Sequence, residues 1–159
     1  MKARNIVLGA AAIVAIIGTG LAAFYWQGQN NTSAPALDTN NPELVTAGKI
    51  IYAENCAVCH GQNLEGQPSW RQRRADGRLP APPHDKSGHT WHHPDRIIFE
   101  LTKFGPAVLV GNGYESDMPG FDEILDDRSI VAVLSFIKST WPREIQQRQQ
   151  KVTRSDKGE

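Results

Sequence analysis

The sequence predicts an all-α protein: one small helical domain preceded by a single N-terminal transmembrane helix. Three observations predict it. Apolar residues recur at helical spacing around Ile51, Ile98 and Ile130. Each stretch is bracketed by helix punctuation: Asn41-Pro42, Pro94 and Asp126-Asp127 at the starts, Gly105 and Pro142 at ends. Strand-like alternation is weak throughout, and no internal repeat is visible. A chain of 159 residues is on the scale of one domain, and its 17 Lys and Arg balance 17 Asp and Glu. A zero net charge gives no case for a nucleic-acid binder or a polybasic membrane-surface protein.

Residues 1–5 form a short N-terminus carrying Lys2 and Arg4. Residues 6–26 are uncharged and mostly apolar, matching the roughly 20 residues that a membrane-spanning helix needs. No basic residue follows before Lys49, so the positive-inside rule leaves the N-terminus in the cytoplasm and places the rest outside. Phe24, Tyr25 and Trp26 stand at the outer end, where an aromatic belt is expected. The run exceeds the ~7–15 apolar residues of a signal peptide, and its nearest small-x-small site is Ala34-Pro35-Ala36. An uncleaved anchor is therefore expected, in a bacterial inner membrane with the main domain in the periplasm. Residues 27–41 are rich in Asn, Gln, Ser, Thr and Pro and read as a flexible tether. Flexible-coil scaling gives it a reach of roughly 20 Å.

The main domain spans residues 42–142. Asn41 suits an N-cap and Pro42 a first turn, so the first helix is expected over residues 42–55. Leu44, Ala47, Gly48, Ile51 and Tyr52 form its inward face. Gly48 costs helix propensity, which makes sense where another helix crosses closely.

Directly after comes Cys56-Ala57-Val58-Cys59-His60, and these are the only two cysteines. C-x-x-C-H is the attachment signature of a c-type haem. Two thiols at this spacing form thioethers to one macrocycle, and the adjacent histidine becomes the proximal iron ligand. A redox-active dithiol would call for a low-pKa thiol in a βαβ setting. A structural zinc site would call for a second ligand pair, and a plain disulfide leaves His60 without a role. One motif means one covalent haem c.

Residues 66–93 hold the other four histidines: His84, His89, His92 and His93. They could bind copper or supply an alternative distal ligand. Adjacent residues point apart on a helix, so His92 and His93 do not easily share a metal. Loop and cap roles are the expectation, with His93 preceding a helix that opens at Pro94. Trp70 and Trp91 would pack on the macrocycle or fill the core. Arg71, Arg73, Arg74 and Arg78 form a basic cluster here, while Glu115, Asp117, Asp122, Glu123, Asp126 and Asp127 form an acidic one. Either is a solvated loop, or a face for a partner of opposite charge; the basic one could instead meet haem propionates.

The second helix carries Ile97, Ile98 and Leu101 and ends by Gly105. Met118 follows in a loop with Gly111, Gly113, Pro119 and Gly120, and is the only methionine besides Met1. A sulfur presented from a rigid loop suits the distal iron position, where it raises the haem potential. The last helix begins at Asp126-Asp127, with Ile130, Val133, Leu134 and Ile137 in one stripe. Residues 143–159 form a polar tail, read as solvated helix extension or disorder.

Together, Gly48-Lys49-Ile50-Ile51-Tyr52-Ala53-Glu54-Asn55-Cys56-Ala57-Val58-Cys59-His60-Gly61, Met118-Pro119-Gly120-Phe121 and the closing helix through Trp141-Pro142 resemble the class I monohaem cytochromes c. The resemblance covers about residues 42–141. It implies a small helical domain wrapped around one covalent haem. It also implies a proline carbonyl, from Pro82 or Pro83, that accepts from the proximal imidazole; Trp91 is placed with these two at the haem pocket. Histidine and methionine together leave the iron no open position, so an electron carrier rather than an enzyme is expected. Its donor and acceptor would be membrane respiratory complexes. The alternatives are a haem-based ligand sensor, in which Met118 leaves the iron, and a metal-handling accessory protein for copper delivery or oxidase assembly that uses the histidine loop.

Overall fold

A computed structural model describes residues 36–158. The expected cytoplasmic N-terminus, the membrane span at 6–26, the tether as far as residue 35, and residue 159 lie outside the described residues. The described residues are helical, with no strand among them. Within them no helix is long and apolar enough to cross a membrane.

Helix α1 spans Pro42–Asn55, and the side chain of Asn41 accepts from Leu44 N at 3.0 Å. It runs into α2, the single turn Ala57–His60. After a long connection, a 3₁₀ turn at Thr90–His92 leads into α3, Asp95–Phe104. Pro94 stands just before α3, one residue earlier than its predicted place inside the helix. A five-residue helix, α4, follows at Pro106–Val110. Helix α5 covers Asp127–Ser139, with the Asp126 carboxylate accepting from Ser129 N at 2.8 Å. Helix α6 covers Arg143–Asp156.

Helices α1, α3 and α5 enclose the core, which contains Tyr52, Ile98, Phe99, Ile130, Val133, Leu134, Ile137 and Trp141. The central element is α5, buried along most of its length. Gly48 marks its crossing with α1: a methyl there would press on the Ala132 carbonyl and lie 2.9 Å from Phe136 Cβ. In the last residues of the tether segment, Leu37 packs on the core. Asp38 N donates to the buried Ser135 hydroxyl at 3.0 Å.

The polar tail forms α6 and docks through polar contacts. Gln149 is 0 % exposed. Its amide nitrogen lies 2.6 Å from Asp95 Oδ1 and 3.1 Å from Thr153 Oγ1. Lys138 Nζ reaches the same Asp95 oxygen at 2.9 Å, and Arg96 pairs with Asp156 at 3.0 Å. Ile145 adds one apolar contact with the core.

Candidate functional site

Cys56 joins α1 to α2: its N–H donates to Tyr52 O at 2.9 Å, and its carbonyl accepts from His60 N at 2.9 Å. The tight turn thus places both thiols and the imidazole on one short stretch of chain. Cys56 is half-buried and Cys59 exposed, both as free thiols. Burial, with Cys59 adding, pushes the Cys56 thiol up to about 11. A dithiol oxidoreductase needs the opposite shift. The turn is braced by the buried Tyr52, whose hydroxyl donates to Gly61 O at 2.8 Å.

His60 is buried. Its Nδ1 lies 2.8 Å from Pro82 O. A carbonyl only accepts, so Nδ1 carries the proton and Nε2 keeps its lone pair. Burial lowers the His60 pKa, and the Pro82 bond only partly opposes this. The ring is a neutral imidazole with the tautomer fixed from behind, as a metal-ligating histidine requires. Pro82, not Pro83, faces the ring. Pro83 is buried, with its carbonyl turned towards Gly88. The segment is held in register by Gln67 N to Ala81 O at 2.8 Å and His84 N to Leu64 O at 2.9 Å.

Met118 is partly buried in the loop between α4 and α5. One side of that loop is fastened to the end of α3. Phe121 N donates to Lys103 O at 2.9 Å and Asp122 N to the same carbonyl at 3.0 Å. Gly120 allows this approach, since a methyl there would lie 2.8 Å from Lys103 O. The other side is held by the basic cluster: Arg78 pairs with Asp117 at 2.8 Å and with Glu115 at 3.2 Å, and Arg74 also pairs with Asp117. These arginines hold the Asp117 carboxyl below its usual range. Sequence reasoning grouped the two charge clusters separately; the fold pairs part of one with part of the other.

The remaining histidines are engaged with aromatic neighbours. His84 stacks on His60 with ring centroids 4.0 Å apart. His89 stacks on Trp70 at 5.3 Å and meets His93 edge-on at 5.5 Å. His92 stacks on Trp91 at 3.7 Å. Trp91 also packs on the core, donates to Lys86 O at 3.3 Å and lies under Arg148. Among the described residues no three His, Cys, Asp or Glu side chains gather as a metal site. Burial pushes His84 well below the usual imidazole value, with His60 and His89 adding to the shift. The contact of His84 with His60 had no signal in the sequence beyond the proline run that precedes it.

The donor set fits a covalent haem. Two thiols flank one turn, an imidazole presents a free Nε2, and a thioether sits in an anchored loop. Large apolar side chains are exposed on the elements that carry or flank these groups: Val58 at 85 %, Val108 at 71 % and Ile124 at 62 %.

Comparison with known proteins agrees. The family model described as cytochrome c matches residues 45–141. Among curated proteins, the chain is similar to the cbb3-type cytochrome c oxidase subunit CcoP of Azospirillum brasilense, with 29 % identity over 90 residues. The match covers 57 % of this chain and 26 % of that subunit, so the chain spans about a quarter of the length of this relative. No solved structure matches the chain.

Proposed function

This chain belongs to the cytochrome c family, and on that premise we propose that it is a one-electron carrier holding a single covalent haem c. Cys56 and Cys59 supply the thioether bonds, His60 Nε2 the proximal ligand and Met118 sulfur the distal one. When bound, the haem supplies reversible one-electron chemistry. The observation that carries the reading is the His60–Pro82 bond at 2.8 Å, which readies the imidazole next to two free thiols.

The chain's own residues account for the rest. Pro82 holds the Nδ1 proton and so directs Nε2 outward. Tyr52 ties the start of the motif to Gly61 across the turn. The α3 carbonyls and the Arg74 and Arg78 guanidiniums fasten the loop that presents Met118. With both His60 and Met118 holding the iron, a substrate would find no place on it.

In this reading residues 6–26 anchor the protein in a bacterial inner membrane, with the helical domain on the periplasmic side. The charge asymmetry around that segment supports this orientation. Membrane respiratory complexes would be its donor and acceptor. The named oxidase subunit among its relatives supports an exchange of electrons with such a complex.

The test is the visible spectrum of the purified oxidised protein. A weak red charge-transfer band from sulfur to ferric iron is expected, and Met118→Ala should abolish it. Its absence from the wild type would remove Met118 from the ferric iron.

A further inference from the structure

We propose that His84 is a positioning residue that fixes the plane of the His60 imidazole. The proposal rests on the reading of His60 as the proximal ligand. The two rings stack with centroids 4.0 Å apart and planes 26° apart. The stack is not a chance contact of two mobile side chains, because His84 is held from several directions. Its Nδ1 lies 2.9 Å from the hydroxyl of Thr90, itself buried. Its backbone N–H donates to Leu64 O at 2.9 Å, and its carbonyl accepts from the Trp141 indole at 2.7 Å. Tyr52 closes one side edge-on at 6.3 Å.

The geometry explains why a second contact is needed. The Pro82 bond holds one edge of the imidazole, and a hydrogen bond to a carbonyl, broad in its angular preference, leaves the ring some freedom to tilt. A planar group against the face removes that freedom. Residue 82 thus supplies the edge and residue 84 the face, so one short segment sets both tautomer and plane. An aliphatic residue of similar volume would fill the space without selecting a plane.

The experiment uses the haem-loaded full chain and proton NMR of its oxidised form. The spread of the four haem-methyl resonances reports how sharply the axial ligand plane is defined. Three variants separate the contributions. His84→Leu keeps the volume and loses the stack, and its methyl spread should contract. His84→Phe keeps a ring on the face and should restore most of the spread. Thr90→Val keeps the imidazole but frees its Nδ1, and should contract the spread less than His84→Leu. A wild-type pattern in His84→Leu overturns the proposal, as does an equal contraction in His84→Phe. If His84→Leu does not accumulate, Thr90→Val decides, and an unchanged spread there overturns the proposal. A wild-type visible spectrum that is not low-spin strikes the ligand reading itself. A low-spin spectrum with no response to these substitutions strikes the His84 role alone.

Discussion

Gly48 and Ala132 meet at the crossing of α1 and α5 with no room for a side chain between them. A methyl on Gly48 would press on the Ala132 carbonyl, which is backbone and cannot swing aside. Gly48→Ala, normally favourable in a helix, should here destabilise by roughly 1–3 kcal/mol, the range for overpacking a tight contact. Urea denaturation of the haem-loaded protein measures this. Unchanged stability would mean that the two helices separate at little cost.

Lys138 and Asp95 form a largely buried pair, with side chains 10 % and 13 % exposed. Lys138→Met leaves the Asp95 carboxylate without its cation and should cost roughly 3 kcal/mol, as breaking a buried pair does. Adding Asp95→Asn should recover part of that loss, because no unpaired charge is then left behind. Thermal unfolding of the two variants checks the order. A double variant less stable than Lys138→Met would show that the Asp95 carboxylate acts chiefly through Gln149.

Met118 is expected to close the iron to exogenous ligands. The reduced wild type should bind carbon monoxide poorly, and reduced Met118→Ala should bind it readily. Titration followed by the visible spectrum reads both. Ready binding by the wild type would favour a ligand-sensing role over electron transfer.

The pairs joining Arg74 and Arg78 to Asp117 and Glu115 are exposed and therefore open to screening by salt. Amide exchange at residues 115–118 should quicken as salt rises towards 1 M, where the Debye length is about 3 Å. Arg78→Gln should show that faster exchange already at low salt. Exchange within α5 should not respond. A salt-independent loop would mean that the α3 carbonyls suffice to hold it.

Arg96 holds the Asp156 carboxyl below its usual pKa through a hydrogen-bonded pair. A carboxylate lowered in the folded state stabilises it above the unfolded pKa of about 3.9. That contribution is lost as pH falls through the depressed value. Exchange protection at the end of α6 should therefore be flat from neutrality to about pH 4 and fall below it. In Asp156→Asn this acid step should be missing. An unaltered step would place its origin in another carboxylate.

The parts of the fold that the sequence made legible rest on local rules. Asn41 and Pro42 fix the start of α1, and the stripe from Ile130 to Ile137 marks the face of α5 that the core receives. The C-x-x-C-H turn is local as well. The parts it hid depend on long-range placement. In Pro80-Ala81-Pro82-Pro83 the carbonyl of Pro82 or of Pro83 could meet His60, and only the pairing of residues 64–67 with 81–84 selects Pro82. Helix α4 was masked because Gly105 reads as a stop, although Pro106 starts a new helix at once. Docking of α6 has no apolar signature in the sequence because its anchor is Gln149, a polar residue buried by hydrogen bonds rather than by an apolar stripe. The charge clusters looked like two solvated loops because nothing local shows that residues 74 and 78 approach 115 and 117.

The imidazole of His60 is fenced on its edge by Pro82 and on its face by His84, both set in a hydrogen-bonded scaffold. For a protein that passes electrons, this bears on speed. Each change of oxidation state requires the ligand and its surroundings to relax to new positions, and the barrier grows with the size of that relaxation. Groups fixed beforehand need not rearrange at the moment of reaction. With His60 on the iron, confinement of the ring would limit the nuclear movement that accompanies each transfer.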